Sequence, residues 1–315
     1  MKKSQKFSFF CKKILIPNIS MKSKWHLIIV SILLLQCSDE SPNYKALLGV
    51  DILPNEHPIF FKKELVPNGK LIHRGILNPQ LDAYYFTLSN KDFSDFDIYI
   101  IERKEGKWSE PQKAFFNSEY DDHGMSFSPD GKRIYFSSTR PIIGKDLPET
   151  WHLWRTNNNN GTWTEPEYVD IPNMRDKLIS HPSISENGTL YFHASNLDYS
   201  KMDIYHSVQE EGKFKDAEKT YLSDSNTYGR TTPYVSADGS FLIYAAINKT
   251  LDLMICQKDE KGKWSQAKAF NKAVNTNGQG NPYITPDNKF LFFAVEENNK
   301  WKVKWVDVES LVKNQ

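Results

Sequence analysis

The stretch Ser128-Pro129-Asp130-Gly131-Lys132-Arg133-Ile134-Tyr135-Phe136-Ser137-Ser138 decides how this chain reads. It is a tight turn followed by a strand. Proline pre-sets φ at the first corner, Asp caps the backbone two residues on, and Gly accepts φ > 0. Lys132 to Ser138 then alternates and is rich in aromatic and β-branched residues, the mark of a strand. The pattern returns as SENGTLYFHAS from Ser185, SADGSFLIYAA from Ser236 and TPDNKFLFFAV from Thr285, with a worn copy, NPQLDAYYFTLS, from Asn78. The copies lie about 50 residues apart, in the range of propellers and solenoids.

Each copy carries two further strands. The third recurs as Asp97-Ile98-Tyr99, His152-Leu153-Trp154, Asp203-Ile204-Tyr205 and Asp252-Leu253-Met254. A glycine turn then leads through Trp108, Trp163, Phe214 or Trp264 into a fourth, where Pro111 and Pro166 suit an edge. Four antiparallel strands make one propeller blade. The last copy stops after its third strand, Lys302 to Val308, while Pro58 to Leu65 resembles a fourth. The expectation is an all-β propeller of five four-stranded blades closed by an N-terminal strand, with six blades as the alternative count. Closure removes two open sheet edges. The recurring aromatics are expected to pack between blades.

The chain has 315 residues, 39% hydrophobic, ample for one large core. Its net charge of +1 hides an asymmetry. Residues 1–36 hold seven lysines and no acid, which leaves 33 basic against 39 acidic residues in the remainder. A mildly acidic body with mixed charges argues against nucleic acid as a partner. Lys22 and Lys24 precede the apolar run Trp25 to Leu35, which ends in Leu34-Leu35-Gln36-Cys37. A basic segment, a short apolar segment and a processing site make a secretory signal. Met21 offers a second start for it. The expected organisation is a signal at 1–36, a flexible tether at 37–56 and the propeller at 57–312. Cys256 is then the one cysteine inside the propeller, expected as a buried strand residue.

Two resemblances follow from these residues. Leu-x-x-Cys resembles the bacterial lipobox, which implies acylation of Cys37, attachment to a membrane through lipid alone and an exported, outer-membrane location, periplasmic or cell-surface facing. The Ser-Pro-Asp-Gly turn, the aromatic strand, Ser137 to Arg140 (Ser-x-x-Arg) and Asp-Ile-Tyr resemble the WD-like repeat of the TolB β-propeller across residues 57–308. That resemblance implies the fold. The same repeat occurs in a colicin-translocation protein, in prolyl-oligopeptidase-type peptidases, in oligosaccharide lyases and in exported lipoproteins, so it leaves the activity open.

Aligning the copies places five pairs where the inner strands enter the channel: His73 and Arg74, Asp122 and His123, Ser180 and His181, Arg230 and Thr232, Gln279 and Asn281. Arg140 and Asn196 come from loops on the same face. Such a ring is a candidate polar ligand pocket, and equally a set of groups that satisfy backbone and water. With Asp122 as its carboxylate, the ring is expected to favour an anionic or hydroxyl-rich ligand. No catalytic residue, metal ligand or cofactor is assigned. Asp130, Asp238 and Asp287 read as turn formers. There is no Gly-x-Ser-x-Gly elbow and no phosphate-binding fingerprint. The expected function is a monomeric, non-catalytic binding module for a cell-envelope protein or glycan. The alternative is a glycan hydrolase or lyase using the His and Arg ring.

Overall fold

A computed structural model describes residues 42–309 except 225, 226 and 299. The signal and Cys37 lie outside the described residues.

Five antiparallel sheets follow one another along the chain. Blade 1 runs Lys70–Leu77, Ala83–Asn90, Asp97–Lys104 and Gln112–Lys113 from inside to outside. Blade 2 runs Asp122–Phe127, Arg133–Ser138, His152–Asn159 and Glu167–Tyr168. Blade 3 is Leu178–Ile184, Leu190–Ser195, Asp203–Ser207 and Glu218–Lys219; blade 4 is Gly229–Val235, Phe241–Ile247, Leu251–Gln257 and Lys268–Ala269. Blade 5 has Gln279–Ile284, Phe290–Glu297 and Lys300–Asp307, and its outer strand is Ile59–Phe60 from the other end of the chain. Ile59 pairs with Trp305 and Phe60 with Lys304. The expected closure is therefore present, and the blade count is five.

The repeated turn works as its residues require. In blade 2 the Asp130 carboxylate accepts from the Ser128 hydroxyl at 2.6 Å and from the Lys132 amide at 3.0 Å. Asn187, Asp238 and Asp287 do the same in blades 3, 4 and 5. Each turn then needs one residue with positive φ, supplied by Gly131, Gly188, Gly239 and Asn288. The worn first copy puts Leu81 there, a costlier choice.

The fourth strands are shorter than expected. Trp108 and Trp163 belong to small hairpin tips, and the outermost ladder resumes only at Gln112 and Glu167. Pro111 and Pro166 stand at the break, where a missing N–H interrupts the ladder. Two of the recurring aromatics reach the preceding blade. Phe214 meets Tyr135 at 6.4 Å between centroids, and Trp264 meets Tyr191 at 6.2 Å. Cys256 is buried in a strand of blade 4.

Part of the segment expected to be a tether is folded. Tyr44–Leu48 is a helix, capped by the Asn43 side chain and ended by Gly49 in the left-handed region. Leu48 is fully buried, and the Trp108 indole donates to its carbonyl at 3.0 Å. The Tyr44 ring sits edge-on to Phe290, 5.1 Å away. The helix so covers the seam between blades 5 and 1. Burying Leu48 and ordering five residues against a ready surface is favourable where the flanking polar residues alone are not.

Candidate functional site

The inner strands begin where the second strands end, as the pairs Asp122 with Ser138, Gly229 with Ile247 and Gln279 with Val295 show. That end of the barrel of blades is the mouth face. The repeated turns form the opposite, turn face.

Every inner strand contains a register shift. In blades 2 to 5 the shift puts Gly124, His181, Thr232 and Asn281 at positive φ. Such bulges re-aim side chains and leave backbone amides without ladder partners. Neighbouring blades supply the partners. Ser137 of blade 2 accepts from the His181 amide at 3.0 Å, and Thr232 of blade 4 accepts from the Asn281 amide at 3.1 Å. His193 of blade 3 accepts from the Thr232 amide at 3.4 Å through Nδ1, so its proton sits on Nε2.

Three of the predicted histidines do gather, with a fourth the sequence did not reveal. His123 and His181 stand 4.6 Å apart, and His181 stacks on His193 at 4.9 Å. His73 joins through Phe96, which lies 5.0 Å from His73 and 5.3 Å from His123. Serines fix the rings: Ser89 is 2.6 Å from His73 Nε2, and Ser180 is 2.7 Å from His123 Nε2. Burial drives His73 down to about 4 and His193 down to about 3. It also holds His123 and His181 well below the usual imidazole range, with neighbouring cationic groups adding to the effect. The cluster is neutral at pH 7.

The charged residues expected beside them are turned away into ion pairs. Successive side chains on a strand face opposite sides, so Asp122 and His123 do not share a surface. Asp122 is fully buried and receives the Arg140 guanidinium at 2.7 Å. Arg230 grips Asp203 at 2.9 Å and pairs with Asp224, which also accepts from the Tyr244 hydroxyl at 2.8 Å. Asp203 holds Lys219 as well, at 2.6 Å. The mouth thus has several carboxylates where the sequence indicated Asp122 alone: Asp122, Asp203 and Asp224 are held by cations, and Glu296 lines the cleft beside Trp301. The expectation of free arginines is corrected accordingly. Gln279 donates to Thr276 at 3.0 Å, while its own carbonyl oxygen and that of Asn281 are buried without a protein partner. Arg74 lies deeper, buried beneath the histidines.

An aromatic rim surrounds the neutral floor. Trp151 stacks on His123, and Phe93 and Trp301 approach His73 at 5.6 and 6.1 Å. Phe93 is exposed; Phe96, Trp151 and Trp301 are half-buried. Trp301 separates two clefts of about 500 and 520 Å³. Phe93, Phe96 and Trp151 sit on the loops between second and third strands, whose unequal lengths hide them from a repeat alignment, and Trp301 stands at the start of the third strand of blade 5, opposite Glu296. Among the described residues, no three His, Cys, Asp or Glu side chains are arranged to hold a metal ion.

No protein-family model matches the chain, and no curated protein matches it. Solved structures do. A glycoside hydrolase superposes with a TM-score of 0.53 at 10% identity, covering 81% of this chain and 92% of its own. The putative TolB of Agrobacterium tumefaciens gives a TM-score of 0.50 at 14% identity, covering 78% and 80%. TolB of Acinetobacter baumannii gives 0.42 at 14% identity, covering 85% and 65%. The first two likenesses show a shared fold, while the count of five blades is read from the sheets of this chain itself.

Proposed function

We propose that this propeller is an exported, lipid-anchored binding module whose mouth face takes a glycan of the cell envelope without transforming it. The observation that carries the reading is the pairing of a neutral imidazole floor with an aromatic rim. Sugar rings present apolar faces that stack on Trp and Phe, and hydroxyls that pair with neutral donors and acceptors. A hydrolase needs two carboxylates set across the bond to be cleaved. Asp122, Asp203 and Asp224 are instead held by arginine and lysine, which supports binding over hydrolysis. The clefts on either side of Trp301 suit an extended ligand.

The test is calorimetric titration of the full chain with envelope glycan fragments, neutral and acidic. Trp151→Ala and Trp301→Ala are each expected to weaken binding about fivefold with an unchanged circular dichroism spectrum, since one lost stacking contact is worth about 1 kcal/mol. A fragment whose affinity survives both changes places the site elsewhere.

One observation favours a second reading, a protein partner on the same face. Ile143 is 96% exposed and Tyr228 84%, and Leu197 and Tyr199 are exposed with them on mouth-face loops. Apolar groups so placed mark association surfaces. A partner held by these loops would tolerate Trp151→Ala and lose affinity on Ile143→Asp.

A further inference from the structure

Arg74 is 2% exposed, and all three of its guanidinium nitrogens are buried with no hydrogen-bond partner. A buried guanidinium without a partner is costly by several kcal/mol. Arg140 and Arg230 each have a carboxylate and a carbonyl in reach. Arg74 has an empty space in front of it instead. A cavity of about 160 Å³ runs from its side chain to the turn face, on the opposite side from the histidine floor.

The cavity lies on the propeller axis. Its rim is made by one turn residue from each blade: Pro79, Pro129, Glu186, Ala237 and Pro286. Its wall is apolar, from Ile76, Leu77, Val235 and Ile284, with the rings of Tyr234 and Tyr283. Both tyrosine hydroxyls are occupied, donating to the carbonyls of Ile284 and Leu77 at 3.1 and 2.8 Å. The Ser126 hydroxyl lines the same space and is buried without a partner. Glu186 is exposed at the rim, and its carboxylate makes no hydrogen bond to Arg74.

We infer that this axial cavity is a binding site for a short monocarboxylate, its head on Arg74 and Ser126 and its tail against the aliphatic wall. The planar fork of donors on a guanidinium matches two carboxylate oxygens. One arginine balances one negative charge; a phosphate dianion would leave a surplus in an apolar pocket. The volume is several times a water's share of about 30 Å³, enough for a few heavy atoms behind the carboxylate. The same head group is found on a free short-chain acid and on the end of a polypeptide. The site is independent of the mouth face, so glycan binding there neither supports nor weakens it.

The experiment titrates the full chain with butyrate, with N-acetylalanine and with N-acetylalanine amide, followed by calorimetry. Butyrate and N-acetylalanine are expected to bind, and the amide at least tenfold more weakly. A preference for butyrate assigns the site to free acids, and a preference for N-acetylalanine assigns it to chain ends. Arg74→Gln should lower affinity at least tenfold. Ala237→Trp, an exposed rim change that leaves Arg74 in place, should do likewise and covers the case in which Arg74→Gln fails to fold. If neither acid binds, if the amide binds equally well, or if Ala237→Trp has no effect, the inference is overturned.

Discussion

His123 lies against the face of Trp151, the ring centroids 3.9 Å apart and the planes 28° from parallel. The indole comes from the loop of blade 2 and the imidazole from its inner strand, so one stack ties rim to floor. It also shields the imidazole from water, which adds to the burial that keeps it neutral.

Trp151→Ala should therefore raise the His123 titration midpoint toward 6.5 by reopening it to water. A histidine-resolved NMR titration would read this. A midpoint unchanged from wild type would mean that the other walls of the channel alone set it.

The neutral histidines make stability depend on pH in one direction. Their folded pKa values lie below the unfolded value near 6.5, so the unfolded chain binds more protons below that pH. The contribution is intact above about pH 6.5 and is lost as pH falls toward the folded values. His73, at about 4 when folded, accounts for roughly 3 kcal/mol of loss by then, at about 1.4 kcal/mol per unit. Urea midpoints measured from pH 7.5 to 4 should fall steadily below 6.5. A flat profile would show that the histidines charge without penalty.

Arg230→Ala should destabilise rather than merely weaken a ligand. It would leave Asp224, 2% exposed, with the Tyr244 hydroxyl and no cation, and Asp203, 10% exposed, with Lys219 alone. Removing one partner of a buried ion pair costs about 3–5 kcal/mol. Chemical denaturation of the variant at pH 7 measures it; a loss under 1 kcal/mol would mean that water reaches the carboxylates.

Leu48→Ala separates a docked helix from a loose tether. Truncating a fully buried leucine costs about 2–5 kcal/mol, whereas a change in a solvated linker costs nothing. The difference in urea midpoint decides between them.

Phe61 is 2% exposed and touches Tyr84 of blade 1 and Phe292 and Trp305 of blade 5, at 4.8, 5.0 and 5.3 Å. Phe61→Ala should cost about 3–5 kcal/mol. Unchanged melting would mean that the Ile59–Phe60 pairing alone seals the ring.

The blades were legible because their chemistry is local. In blades 2 to 5, Ser or Thr, Asp or Asn, and Gly or Asn occupy the same stations of each turn and form the same bonds there. Closure was legible because a strand was missing at one end and spare at the other. The helix left a fainter trace, Asn43 before and Gly49 after Tyr44-Lys45-Ala46-Leu47-Leu48, which reads as a linker until Leu48 has a surface to meet. The site was legible only in part. His73, His123 and His181 could be placed by alignment. The partners that neutralise Arg230 could not, since Asp203 and Asp224 come from a third strand and a connecting loop whose approach depends on blade packing. Trp151 sits in a loop with no common length among the copies and Trp301 at the start of a third strand, so no register predicts that they border one opening.

The pairing of Ile59 with Trp305 joins residues at nearly opposite ends of the described chain. Until residue 305 has been synthesised, the strand that seals the ring has nothing to seal against. The first four blades can each form from nearby residues as they emerge, but the circle is completed only once the strand of Trp305 has emerged. Closure of this propeller is thus a single late event, and a chain truncated anywhere before blade 5 keeps an open end.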